Sequence, residues 1–195
     1  TPHGPCGAAH TIDTVGGMSI TAKLGTYGSV TNARFYLDTD VAWYDGAAYK
    51  VYYWPVEGLT NIITVAGPGV NQITWKYFAN PWFAPVYMYY SATLHEWIIH
   101  APGGDYEELD YVSNDPLMDM AVIEMVYVAE EGRYVMWVGG FGGYGTRAGS
   151  FMVQLHGTGL VPSLTGTAML VHWIDANDNS KVDTGDIWNV VEIVS

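Results

Sequence analysis

The chain has 195 residues carrying 20 acidic and 7 basic side chains, a net charge of −13, which excludes the clustered Lys and Arg that a nucleic-acid partner requires. Hydrophobic residues make up 49% and charged residues only 14%, so the chain can build a real core and still have surface left to bury against other subunits. No run of 18 apolar residues is present, which argues against a membrane-spanning helix, and Cys6 alone cannot make an internal disulfide framework.

The sequence starts at Thr1 rather than Met, which reads as a secreted product whose signal peptide has been removed. Thr11-Ile-Asp-Thr-Val and Met18-Ser-Ile-Thr-Ala-Lys-Leu24 alternate apolar and polar residues around Gly16-Gly17. Residues 1–24 are therefore expected to form an N-terminal segment whose strand, Thr11–Leu24, adds to a neighbouring subunit's open sheet edge. Residues 25–195 are expected to form one β-rich domain. Strand-like runs follow at Ala33–Leu37, Val41–Tyr44, Ala48–Trp54, Asn61–Ala66, Gln72–Phe78 and Val86–Leu94, with Asp45-Gly46 as a hairpin turn. Spacing of this kind predicts an antiparallel β-sandwich, jelly-roll or immunoglobulin-like, with at most one or two short helices.

His95-Glu-Trp-Ile-Ile-His100 places its histidines five apart, one too many for the zinc-protease pair, and is read as polar residues on an aromatic strand. Asp105, Glu107, Glu108, Asp110, Asp115 and Asp119 form an acidic connector, read as a solvated loop, a second cation site or a glycosidase-like acid pair. Arg133–Gly140 is an apolar strand running into Gly140-x-Gly142-x-x-Gly145, the spacing of a dinucleotide fingerprint. The strand-dominated sequence before it and the missing acidic residue some 20 positions on weigh against nucleotide binding. The turn from Val138-Gly139-Gly140 to Thr146 is similar to glycine turns of archaeal surface-layer proteins. Thr146–Leu155 reads as either helix or strand.

The last quarter of the chain is the most informative. Two apolar runs, Ala168–Ile174 and Ile187–Val194, flank the polar stretch Asp175–Asp186. Within it Asp175, Asn177, Asn179, Asp183 and Asp186 occupy positions one, three, five, nine and twelve, with the Lys181 carbonyl at seven. This is how a short loop supplies six or more oxygens to calcium. The stretch resembles the calcium loop of EF-hands and, more closely, of dockerin-like modules, although Ser180 stands where those loops carry Gly. Ile187–Val194 is β-branched and aromatic, so the loop is expected to tip a hairpin rather than to open a helix. A plain Asp/Asn/Ser/Gly turn is the simpler alternative.

Two functions fit this reading. The first is a non-enzymatic structural subunit of an extracellular filament, sheath or surface layer, a homopolymer joined by strand addition and stabilised by calcium. The alternative is a secreted carbohydrate-binding module or glycosidase-associated domain, holding polysaccharide on Trp43, Tyr44, Trp54, Trp75, Trp82 or Trp97.

Overall fold

The computed structural model describes residues 11–27, 36–44, 47, 49–51 and 61–195. Cys6, the Asp45-Gly46 turn and Trp54 lie outside the described residues. Among those described are five helices: α1 (Thr11–Leu24), α2 (Asp38–Val41), α3 (Gln72–Phe78), α4 (Glu108–Tyr111) and α5 (Gly143–Gln154). The strands are β1 (Ala42–Tyr44), β2 (Tyr49–Val51), β3 (Ile62–Val65), β4 (Tyr87–Ser91), β5 (Glu96–Ala101), β6 (Gly104–Glu107), β7 (Ser113–Asn114), β8 (Leu117–Val128), β9 (Arg133–Gly140), β10 (Ala168–Ile174) and β11 (Ile187–Val194).

A mixed sheet runs through the centre in the order β11-β10-β8-β9-β3, with β7 appended to β8. All its pairs are antiparallel except β3 with β9, which are parallel from Ile62↔Val135 to Val65↔Val138. Its middle strand β8 is buried on both faces from Asp119 to Glu124, which is why that stretch reads as a nearly continuous apolar run instead of an alternation. On one face Met120, Val122, Val126, Trp137 and Leu170 meet Ile73, Tyr77 and Phe78 of α3 and Met88 and Ile99 of the antiparallel sheet β4-β5-β6. On the other face Ala121, Ile123, Val138, Met169, Val171 and Trp173 meet Ala148 and Met152 of α5 and Ile20 of α1.

The chain is thus mainly β, with a mixed sheet and antiparallel sheets. Two expectations are corrected. The larger sheet is mixed rather than antiparallel, and helices cover its second face, so five helices stand where one or two were expected. Thr11–Leu24 is helix α1 rather than a strand.

The glycines that seemed to break a strand there mark the crossing of two helices. A Cβ on Gly16 would lie 2.4 Å from the Ser150 hydroxyl of α5, so only glycine lets the backbones approach this closely. Packing at that crossing outweighs the cost, about 1 kcal/mol per residue, of glycine inside a helix. Gln72–Phe78 is likewise helical, because Asn71 caps it: its Oδ1 accepts from the backbone N–H groups of Ile73 and Thr74 at 2.9 and 3.1 Å.

Candidate metal-binding loop

The two C-terminal runs pair as β10 and β11 from Ala168↔Val194 to Ile174↔Ile187, with a bulge opposite Leu170/Val171. Asp175–Asp186 is therefore a hairpin tip and not the entrance to a helix. The hairpin is anchored to the body by aromatic stacking. The ring of Tyr144 of α5 stacks nearly parallel to that of Trp173 with centres 5.6 Å apart, and the ring of Phe151 stacks on Trp188 at 6.1 Å.

Within the loop, Asp175 is buried and its two oxygens accept from the backbone N–H groups of Asn179 (3.3 Å) and Ser180 (2.7 Å). That wrap drives Asp178 and Ser180 into the left-handed region, at φ 54° and 58°. Ser180 thus takes the turn that glycine would take without strain. Asn177 and Asn179 both donate side-chain N–H bonds to the Asp183 carboxylate, at 3.2 and 2.7 Å. Hydrogen bonds from Asn179 and from the Gly185 N–H hold Asp183 below the usual carboxylate range. The Lys181 side chain is exposed, and its backbone N–H donates to Asn179 Oδ1 at 2.8 Å.

Asp186 closes the loop from inside. Its Oδ2 accepts from the indole N–H of fully buried Trp173 at 2.8 Å and from the Asp183 N–H at 2.7 Å. Its Oδ1 is buried and has no hydrogen-bond partner. An orphan carboxylate oxygen shielded from water is costly unless a donor or cation completes it.

Hydrogen bonds thus join Asp175, Asn177, Asn179 and Asp183 in one group, with Asp186 fixed to its edge through the Asp183 backbone. Together with the Lys181 carbonyl, these are the atoms that could hold a hard cation. The set mixes carboxylate, amide and carbonyl oxygens; among the described residues no three Asp, Glu, His or Cys side chains cluster closely enough to hold a metal by themselves.

The glycine fingerprint has a different outcome. Gly140 ends β9, and Gly142 precedes the first turn of α5. The backbone N–H groups that would face a phosphate face Asp119 instead. Its carboxylate accepts from Gly145 N at 2.6 Å, Gly142 N at 3.1 Å and Met120 N at 2.8 Å. A Cβ on Gly145 would lie 2.1 Å from the Met120 carbonyl oxygen, so its glycine serves backbone contact with β8. An internal carboxylate fills the helix N-terminus, leaving no room there for a dinucleotide pyrophosphate. Burial raises Asp119 to about 6 despite its three backbone donors.

The remaining acidic positions divide among separate elements. Asp105 on β6 pairs with His100 at 2.6 Å, Glu108 on α4 accepts from Trp97 N at 3.1 Å, and Asp115 lies in the turn before β8. His95 sits in the turn before β5 at φ 61°, while His100 stacks on Tyr87 with ring centres 4.8 Å apart. Of the aromatic candidates, Trp82 is 85% exposed, Tyr44 is exposed, Trp75 and Trp97 are half-buried, and Trp43 lies in β1. Sequence reasoning missed Glu124, a fully buried carboxyl whose only signal was one acid within an apolar strand. Comparison with protein-family models, with curated proteins and with solved structures finds no match to this chain.

Proposed function

We propose that the protein is a calcium-stabilised structural subunit of an extracellular assembly, such as a filament, sheath or surface layer, and that it associates with copies of itself. The observation that carries this reading is an uncovered end of the central sheet. Helices α1 and α5 cover the rows from Val138 and Ile123 upward. Beyond them Ile63, Met136 and Met125 stand in register across β3, β9 and β8, followed by the pair Tyr134↔Tyr127 with ring centres 5.0 Å apart. Ile193 and Val190 are exposed on the same face of β11, an edge strand among the described residues, but in the rows of Ile123 and Ala121 and separated from that end by buried Met169 and Val171 of β10.

Ile63, Met125, Tyr127, Tyr134, Val190 and Ile193 are between 36% and 56% exposed. The four of these at the uncovered end (Ile63, Met125, Tyr127 and Tyr134), at about half exposure, leave on the order of 400 Å² of apolar surface, within what a monomer shows. Two copies meeting through it would bury about 800 Å², so pairing at an open strand edge would have to add to the contact to reach the roughly 1,000 Å² of a specific interface. A charge of −13 opposes association in general, so a nearly uncharged patch next to an open strand edge is where copies can meet. With Thr11–Leu24 in a helix, β11 supplies the edge that an added strand would use.

Tyr127→Glu tests this reading. It sets a charge within an already exposed patch, so folding should be unchanged while assembly fails. Electron microscopy and sedimentation should find ordered polymers for the parent protein and dispersed monomers for the variant. Monomers from both would sink the proposal.

Calcium enters through the loop. An ion completing the Asp186 Oδ1 position and bringing together the oxygens of Asp175, Asn177, Asn179 and Asp183 would lock the hairpin onto Trp173. At a hundredfold excess over its dissociation constant it should add about 2.7 kcal/mol, raising Tm by roughly 5–10 °C for a chain of this size. Asp186→Asn should abolish that calcium response in a thermal scan. An unchanged response in the variant would assign the ion to another place.

A second reading has its own support. Tyr87, Tyr89 and His100 form an aromatic ladder with Asp105 on the side of β4-β5-β6 away from the central sheet, a surface suited to sugar rings. Saturable tryptophan fluorescence changes with a polysaccharide, in protein that stays monomeric with and without calcium, would favour that binding module over the assembly.

A further inference from the structure

Trp82 is the most exposed large apolar side chain among the described residues, at 85%, and it is held out rather than left loose. Its backbone N–H donates to Asn80 Oδ1 at 3.0 Å, prolines stand at positions 81 and 85, and Phe83 packs edge-on against Tyr77 with ring centres 5.6 Å apart. A side chain braced in this way has less freedom to lose on binding. From Tyr77 to His95 the chain carries no Asp, Glu, Lys or Arg, so this segment brings none of the net charge of −13 to a contact.

Helix α3 separates Trp82 from a cleft. The helix starts beside the carboxyl end of β3, where Asn71 Nδ2 donates to the Val65 carbonyl at 3.0 Å. It ends at the turn between β8 and β9, where Tyr77 Oη donates to Glu131 at 2.6 Å, and Trp82 follows that end. At the starting end a cleft of about 130 Å³ opens between the segments that follow β3 and β9, with Val70 on one lip and Gly140 to Gly143 on the other. Met88, Trp97 and Phe141 give it thioether and ring surface. Asp13, its one charged lining residue among those described, is buried and already has its own interaction within the chain. The volume suits one aromatic ring, being close to the roughly 150 Å³ of a cavity that holds benzene.

We infer that Trp82 of one copy inserts into this cleft of the next copy, a head-to-tail contact that rests on the self-association proposed above. The patch around Tyr127 meeting its own counterpart would close a two-fold pair and stop there. A polymer needs a heterologous contact, in which one surface meets a different one. A projecting indole and a ring-sized cleft at opposite ends of α3 supply it. An aromatic anchor seated in a pocket is also the form in which interfaces concentrate their binding energy, and the rings and thioether of the cleft suit an indole.

Trp82→Ala removes a ring that lies almost wholly in solvent, so the fold should be unchanged. The concentration needed for polymers should rise about a hundredfold, the weight of an interface hot spot. Gly69→Ala, whose added Cβ would lie 2.7 Å from Trp97 Cζ2, should act in the same direction from the cleft side. The contact itself is read by nuclear magnetic resonance on ¹⁵N-labelled Trp82→Ala, which keeps the cleft and lacks the indole. Unlabelled Tyr127→Glu, which keeps Trp82, should shift the Trp97 indole N–H and the Gly142 and Gly143 amides, and free indole should shift the same signals. Unlabelled Trp82→Ala should leave them in place. Polymers from Trp82→Ala at the concentration that suffices for the parent would overturn the inference and leave the assembly reading standing. Signals unmoved by Tyr127→Glu up to about 1 mM would overturn it whatever the parent does. Shifted signals beside a parent that stays monomeric would support the contact and sink the assembly reading.

Discussion

Replacing Asp119 by alanine is expected to destabilise the protein by about 4 kcal/mol, because three N–H groups, two of them buried, would lose one shared acceptor at roughly 1–3 kcal/mol each, less what entering water restores. Gly142, Gly145 and Met120 all donate to this carboxylate, and the backbone of Gly145 lies tightly against β8. For a chain of this length the loss corresponds to a fall in Tm of about 10 °C. The vacated position would be a small anion site facing a helix N-terminus, so millimolar acetate or formate should restore part of the stability of the variant and none in the parent. Asp119→Asn keeps one acceptor oxygen and should fall between the two. A melting temperature within about 2 °C of the parent for Asp119→Ala would mean that the carboxylate does not hold the glycine turn.

The same residue shows where the sequence was readable and where it was not. Asp119 was grouped with the acids of a connector because neighbours in sequence carry the same charge, yet it lies inside the sheet while Asp105 and Asp115 stay outside. The fingerprint spacing at Gly140, Gly142 and Gly145 does lie where strand β9 turns into helix α5, although Thr146–Leu155 reads by sequence as either helix or strand. It could not reveal that the anion at the helix start belongs to the chain itself, since that pairing spans 26 residues. Likewise the alternation in Thr11–Leu24 was real, but its meaning depended on Ser150 meeting Gly16, a contact no local pattern carries. The Asn71 cap was legible and was overlooked because Ile73-Thr-Trp-Lys-Tyr-Phe78 has strand propensities. The C-terminal hairpin was legible throughout: its strands are β-branched, its loop is polar, and both signals are local.

Glu124 carries the second large effect. Its carboxyl is fully buried in the layer between the two sheets, flanked along β8 by Val122 and Val126 and across the strands by Trp137 and Ala168. Oε1 accepts one bond, from Val86 N at 3.1 Å, and Oε2 has no partner. One backbone donor cannot replace the water lost, so burial raises the group to about 8, against 4.5 when exposed. The folded state thus holds a proton that the unfolded chain has released. The stability that this proton contributes is complete below about pH 4.5 and is lost as pH rises through about 8. Between pH 5 and 8 the decline should amount to roughly 3 kcal/mol, or about 10 °C in Tm. Asp119, raised to about 6, acts in the same direction but completes its change at lower pH. Glu124→Gln keeps the shape and the Val86 acceptor and cannot ionise. It should match the parent near pH 5 and exceed it by about 3 kcal/mol at pH 8. Glu124→Leu would also remove the pH dependence but would strand the Val86 N–H, and should be less stable than the glutamine variant at every pH. If parent and Glu124→Gln melt in parallel from pH 5 to 8, the carboxyl is ionised throughout and must have a partner that compensates it.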